Sequence, residues 1–128
     1  MMDNFHLMAK PAGPACNLNC TYCFYLEKEK LFDSGSTYMS DEVLEAYTQK
    51  YIRSQKGPTV EFTWQGGEPT MAGLEFFQRG IQFQKKYRGR KQISNSLQTN
   101  GTLINEKWCR FLKKNNFLVG ISLDGPAE

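Results

Sequence analysis

No hydrophobic run in this chain is long enough to cross a membrane, and its first ten residues, MMDNFHLMAK, lack the apolar core of a signal peptide. Those absences make the cytoplasm the expected compartment and no membrane the expected partner. Lys and Arg form no stripe, and a net charge of +3 is too mild to argue for nucleic acid. The basic residues that do cluster, Lys85, Lys86, Arg88, Arg90 and Lys91, fall at a predicted helix end and the loop after it, where they read as a solvated face. Repeats and low-complexity segments are missing. Histidine is nearly so: the single His6 lies on a predicted first strand and reads as structural. Cysteine is scarce as well, with four in all, and in a cytosolic chain these are better ligands or free thiols than bridges.

What is present is an ordinary globular composition, 40% hydrophobic over 128 residues, enough for one domain with a core. FHLMAK (5–10) reads as a strand that leads into the cysteine loop. FYLEKEKL after Cys23 has the composition of a short helix, broken by Asp33-Ser34-Gly35-Ser36. Ser40 caps a helix running to about Gln55, with Val43, Leu44, Tyr47, Tyr51 and Ile52 on its inner face. TVEFTW (59–64) is a second strand entering QGGEPT (65–70). A second helix spans Gly73 to about Tyr87 on a stripe of Leu74, Phe77 and Ile81, widened by Phe76, Phe83 and Tyr87. QISNSLQT (92–99) is a third strand. Asn105 caps a third helix with Trp108, Phe111 and Leu112 inward and Cys109 off the stripe, and FLVGISLD (117–124) is the fourth strand.

Strands alternating with helices imply an α/β fold with a parallel sheet and right-handed crossovers. Such a sheet binds its ligands at the carboxyl ends of the strands. Every unusual sequence in the chain falls there: the cysteine loop, QGGEPT, QTNG (98–101) and SLDGP (122–126). The chain stops just past a strand with nothing to cover the sheet edge, so the expectation is the front portion of a longer protein.

PACNLNCTYCFY (14–25) carries Cys16, Cys20 and Cys23 at the spacing C-x3-C-x2-C, with Tyr22 before the last. Pro11, Gly13 and Pro14 keep this stretch out of a helix. Structural zinc and iron–sulfur electron carriers usually take four protein ligands. Three thiolates on a four-iron cubane leave one iron open to a substrate or cofactor. The competing readings are zinc, with Cys109 or His6 as a fourth ligand, and a disulfide between two of the cysteines.

The cysteine spacing with its aromatic resembles the signature of the radical S-adenosylmethionine (radical SAM) enzymes. KPAGPACNLNCTYCFY, QGGEPTMAGLEFF, NSLQTNGTLI and FLVGISLDGP, in that order, resemble the anaerobic sulfatase-maturating enzymes from about residue 7 onward. That likeness implies the N-terminal part, about four parallel βα units, of a radical SAM partial TIM-type barrel, with residues 1–128 an incomplete core domain. It implies a [4Fe-4S] cluster on Cys16, Cys20 and Cys23, whose open iron chelates S-adenosylmethionine. A 5′-deoxyadenosyl radical then takes a hydrogen from Cβ of a sulfatase Cys or Ser on the way to Cα-formylglycine. Gly66, Gly67 and Glu68 would hold the methionine amino group, Ser122 the ribose or carboxylate, and the Tyr22 backbone the adenine. Asn100 and Asp124 are further lining candidates, and Tyr25 and Gln65 would border the peptide substrate. The likeness also implies a flavodoxin or ferredoxin as reductant. The two auxiliary [4Fe-4S] clusters and the general-base Asp of the family have no counterpart among these residues, so these 128 residues alone are expected not to complete maturation. The alternatives are another radical SAM peptide modifier, forming a thioether or crosslink, and a zinc- or disulfide-stabilised module that is not an enzyme.

Overall fold

The computed structural model describes residues 4–23, 37–123 and 125. The predicted helix after Cys23 and its 33–36 break lie outside those residues, as do Tyr25 and Asp124. Four strands form one sheet: β1 (Met8–Ala9), β2 (Thr59–Trp64), β3 (Gln92–Thr99) and β4 (Leu118–Ile121). They stand side by side in chain order, and every pairing is parallel. Helix α1 (Asp41–Ser54) joins β1 to β2, α2 (Leu74–Tyr87) joins β2 to β3, and α3 (Glu106–Lys114) joins β3 to β4. The register runs Ala9, Trp64, Leu97, Val119 straight across the sheet; β1 and β2 end at that row, and β3 and β4 run two residues further, to Thr99 and Ile121.

Alternation along the strands decides which face is covered. Val60, Phe62 and Trp64 on β2 and Asn95, Leu97 and Thr99 on β3 are buried, while their neighbours Glu61, Ser94 and Gln98 are exposed. Parallel strands usually read as unbroken apolar runs because helices cover both faces. Here the helices pack on one face, and the other carries hydroxyls and amides. The core is an edge-to-face aromatic chain, Tyr51 on Phe62, Trp64 on Phe77 and Phe77 on Trp108. A buried amide pair beside it is satisfied: Asn95 Oδ1 accepts from Trp64 Nε1 at 3.0 Å and Gln84 Nε2 at 2.8 Å, and Asn95 Nδ2 donates back to Gln84.

The helices begin where their capping residues stand. Ser40 Oγ accepts from Val43 N at 3.2 Å, and Asn105 Oδ1 from Trp108 N at 3.0 Å. Ser40→Ala is expected to cost about 1 kcal/mol, read as a lower urea midpoint at unchanged slope. The inner face of α1 is Leu44, Thr48, Tyr51 and Ile52; Val43, expected inside, is exposed because it lies one residue off that 3.6-residue stripe. Lys91 is likewise no solvated charge, since its ammonium donates to the carbonyls of Ile52 and Gln55 and closes the C-terminus of α1. A four-residue 3-10 turn, Pro69–Ala72, precedes α2 where no separate element was expected.

Both outer strands are shorter than their sequence pattern. The amides of Phe5 and Leu7 donate to Oε1 of Gln55, the residue that ends α1, and to Oη of Tyr51 within it, which takes residues 5–7 out of the ladder. At β4, Asn116 (φ 54°) ends α3 in the left-handed region and Phe117 N bonds back to Leu112 O, so pairing starts only at Leu118.

Tyr47 stacks on Tyr51 inside the core, and its buried hydroxyl has no hydrogen-bond partner among the described residues. Burial pushes its phenol well above the usual value, and Tyr51 adds to the shift. The fold therefore prefers neutral Tyr47: this stability is complete below about pH 10 and is lost as pH climbs beyond it. Tyr47→Phe is expected to change stability at neutral pH by about 1 kcal/mol or less and to remove that alkaline decline, measured by urea unfolding across pH.

Candidate functional site

The site is assembled at the carboxyl edge of the sheet from four chain segments. The first is the turn after β1. Gly13 N bonds Lys10 O at 2.9 Å, Ala15 N bonds Ala12 O at 3.1 Å, and Gly13 sits at φ 59°. Pro11, Ala12 and Pro14 are buried beneath it, pinned by Met39 N to Pro11 O and Thr37 Oγ1 to Ala12 O. From this base the loop presents Cys16, Cys20 and Cys23, all half-buried free thiols, with Tyr22 70% exposed beside them. Cys109 is also a free thiol, so no disulfide joins any of the four.

The second segment, Gln65-Gly66-Gly67-Glu68, lies directly against the first. Gln65 N bonds Ala9 O at 3.0 Å, Gly67 N bonds Gly13 O at 2.9 Å and Glu68 N bonds Ala15 O at 2.7 Å. A Cβ on Gly66, already at φ 123°, would meet Gly13 O at 2.7 Å, and one on Gly67 would meet Ala15 O at 2.2 Å and Pro14 O at 2.4 Å. The paired glycines exist because the cysteine loop rests on their backbone. The Gly67 amide binds that loop instead of standing open to a ligand.

Glu68 is 1% exposed, and its carboxylate joins two segments. Oε2 accepts from Thr70 N at 3.1 Å, from the Thr70 hydroxyl and from Thr99 Oγ1 at 2.6 Å; Oε1 accepts from Asn100 N at 2.7 Å. Thus the end of β3 is tied to the turn after β2. The third segment, Thr99-Asn100-Gly101-Thr102, then reaches the cysteine loop itself. Asn100 Nδ2 stands 3.7 Å from Cys16 Sγ and 3.0 Å from Asn17 Oδ1, while Asn17 Nδ2 donates to Thr102 Oγ1 at 2.7 Å. The fourth segment brings Ser122, whose hydroxyl accepts from Gln98 Nε2 at 2.9 Å and whose amide donates to Thr99 O. Gln98 lies flat over Gly120, where a Cβ would sit 2.3 Å from its Oε1.

The expected residues Cys16, Cys20, Cys23, Tyr22, Gln65, Gly66, Gly67, Glu68, Asn100 and Ser122 thus share one edge of the sheet. His6 does not join them, because its Nε2 is bonded to Thr63 Oγ1 at 2.9 Å. Cys109 is exposed on α3. Neither fourth ligand invoked for zinc is therefore placed with the cysteines. Sequence reasoning missed Asn17, Gln98, Thr99 and Thr102. Gln98 and Thr99 lie in the QTNG stretch singled out at a strand end but were given no role of their own, and Asn17 and Thr102 carry no comparable signal.

A parallel α/β sheet with a three-thiol loop at its carboxyl edge defines a redox-cofactor domain. A three-thiolate set suits a four-iron cubane with one open iron; Cys16, Cys20 and Cys23 stand free and half-buried on one loop, although among the described residues no three His, Cys, Asp or Glu side chains are already gathered around a metal position. The Radical SAM superfamily matches residues 11–128, and the chain belongs to that family. A [4Fe-4S] cluster and S-adenosylmethionine are accordingly its cofactors.

The chain is 49% identical over 124 residues to a serine-type anaerobic sulfatase-maturating enzyme of Bacteroides thetaiotaomicron, covering 96% of this chain and 30% of the relative. It is 48% identical over 132 residues to a cysteine-type enzyme of Clostridium perfringens (strain ATCC 13124), covering 99% of this chain and 35% of the relative. A solved structure, native anSMEcpe with bound AdoMet and Cp18Cys peptide, superposes with a TM-score of 0.84 at 47% identity over 96% of this chain and 32% of that one. The chain spans about a third of the length of these relatives. Among the described residues no helix is long and apolar enough to cross a membrane.

Proposed function

We propose that this chain contributes the cluster- and cofactor-binding part of a radical SAM oxidoreductase that converts a Cys or Ser of a sulfatase to Cα-formylglycine. The observation that carries the reading is the placement of three free thiols on a loop whose backbone is locked to the QGGEPT turn. Residues 1–128 are read as the first part of the radical SAM core, working in the cytoplasm with a flavodoxin or ferredoxin as electron source. Bound there, the cluster and S-adenosylmethionine would supply one-electron chemistry capable of hydrogen-atom abstraction.

The residues of the chain do the positioning. Cys16, Cys20 and Cys23 ligate three irons. An ammonium group requires acceptors, and the carbonyls of Gly66 and Gly67 would offer them, since the Glu68 carboxylate already takes four donors. Glu68 then serves the cofactor by holding the turn in shape. Ser122, its hydroxyl fixed by Gln98, would bind the ribose or carboxylate, and Tyr22 would border the adenine. Gln65 and Tyr25 would face the substrate peptide.

The test is anaerobic reconstitution with iron and sulfide, then EPR of the reduced protein with and without S-adenosylmethionine. The expected result is a four-iron signal that changes on adding the cofactor and disappears in Cys20→Ala. Zinc without iron, or a signal indifferent to the cofactor, overturns the reading. The substrate is tested separately in the complete enzyme containing this chain: a sulfatase peptide bearing C-x-P-x-R, or its Ser counterpart, should gain formylglycine, and a thioether product would replace that assignment.

A further inference from the structure

Asn100 belongs to no cluster-ligand motif, yet its side chain is aimed at a cluster thiol. Its amide orientation is determined by its neighbours. Oδ1 accepts from the main-chain N–H of Thr102 at 3.0 Å, a group that can only donate, and from Thr102 Oγ1 at 2.8 Å. That leaves the NH2 group facing Cys16 Sγ at 3.7 Å and Asn17 Oδ1 at 3.0 Å. The backbone is fixed as well, through Asn100 N to Glu68 Oε1. Cys16 Sγ meets a second donor in Leu18 N at 3.4 Å. A preset N–H donor beside a thiolate is the arrangement by which proteins adjust a cluster, because donors to sulfur stabilise the extra negative charge of the reduced state.

We propose that Asn100 is a positioning residue that raises the reduction potential of the cluster through its hydrogen bond to Cys16, its second N–H being held by Asn17 Oδ1. The inference rests on the reading of Cys16 as a cluster ligand. It also gives the QTNG segment a task at the cluster in addition to any contact with S-adenosylmethionine. Glu68 becomes the link between the two halves of the site, since it holds both the glycine turn and the amide of Asn100.

The experiment is an EPR-monitored redox titration of the reconstituted chain, with iron and sulfide counted in every sample and no turnover involved. Asn100→Ala should shift the midpoint to lower potential, and Asn100→Asp further, because it replaces a donor with a negative charge. Asn17→Ala should shift it the same way by less, because the amide then loses the acceptor that holds its second N–H and orients the first toward the sulfur. A purely structural role for Asn100 predicts lower iron content and no directional shift in the clusters that do form. Midpoints equal to that of the unsubstituted protein at equal iron content overturn the proposal. Should the Asn100 variants load no iron, Asn17→Ala decides: a downward shift sustains the proposal, and an unchanged or raised midpoint overturns it. An unsubstituted chain that assembles no four-iron cluster overturns the ligand assignment itself, and this inference with it.

Discussion

Gly67→Ala is expected to strip the protein of iron and to destabilise it by about 3 kcal/mol or more. The added Cβ would lie 2.2 Å from Ala15 O and 2.4 Å from Pro14 O, contacts that no rotamer change can relieve because both partners are main-chain atoms. Either the turn or the cysteine loop must move. Movement breaks the Gly67 N to Gly13 O and Glu68 N to Ala15 O bonds that set the height of Cys16 above the sheet. Gly80→Ala is the matched control. There the new Cβ meets only Leu44 methyls at 3.9 Å within a helix, and the change should stabilise by about 0.5–1 kcal/mol with iron content unchanged. Thermal unfolding and iron analysis of the two variants read the difference. Normal iron loading and an unaltered melting temperature in Gly67→Ala would show that the loop does not rest on this turn.

Glu68→Ala should cost about 3 kcal/mol or more, because four donors lose their acceptor in a place water does not reach. Glu68→Gln keeps the volume but points an NH2 group at donors, so it should recover only part of the loss. The effect should also reach the cluster. Without Oε1, Asn100 loses its backbone anchor, and the cluster midpoint should fall although Glu68 touches no sulfur in the structure. Urea unfolding of Glu68→Ala at wild-type stability would refute the architectural role described for this carboxylate.

Much of this fold can be read from local rules. Ser40 and Asn105 cap where serine and asparagine before an amphipathic run should cap, and TVEFTW and QISNSLQT are the two central strands. Where reading failed, the competing partner was remote in sequence. The amides of Phe5 and Leu7 are taken by the side chains of Gln55 and Tyr51, 50 and 44 residues away, so no pattern within FHLMAK could show that the strand begins at Met8. Lys91 looks like one of five surface cations until its ammonium is found on the last carbonyls of α1.

The candidate site divides in the same way. Cysteine spacing is a local constraint, because three thiols on a short non-helical loop stay within one stretch of chain, and the sequence alone therefore pointed to the candidate ligands and the strand ends around them. Only the tertiary structure decided what the remaining groups do. It assigned the glycine pair to the cysteine loop, the Glu68 carboxylate to Thr70, Thr99 and Asn100, and the Asn100 amide to Cys16. Those assignments depend on which segments the parallel register of the sheet brings to one level, and on hydrogen bonds across more than 30 residues of chain. Spacing along a sequence carries the first kind of information, and the second exists only once the strands have paired.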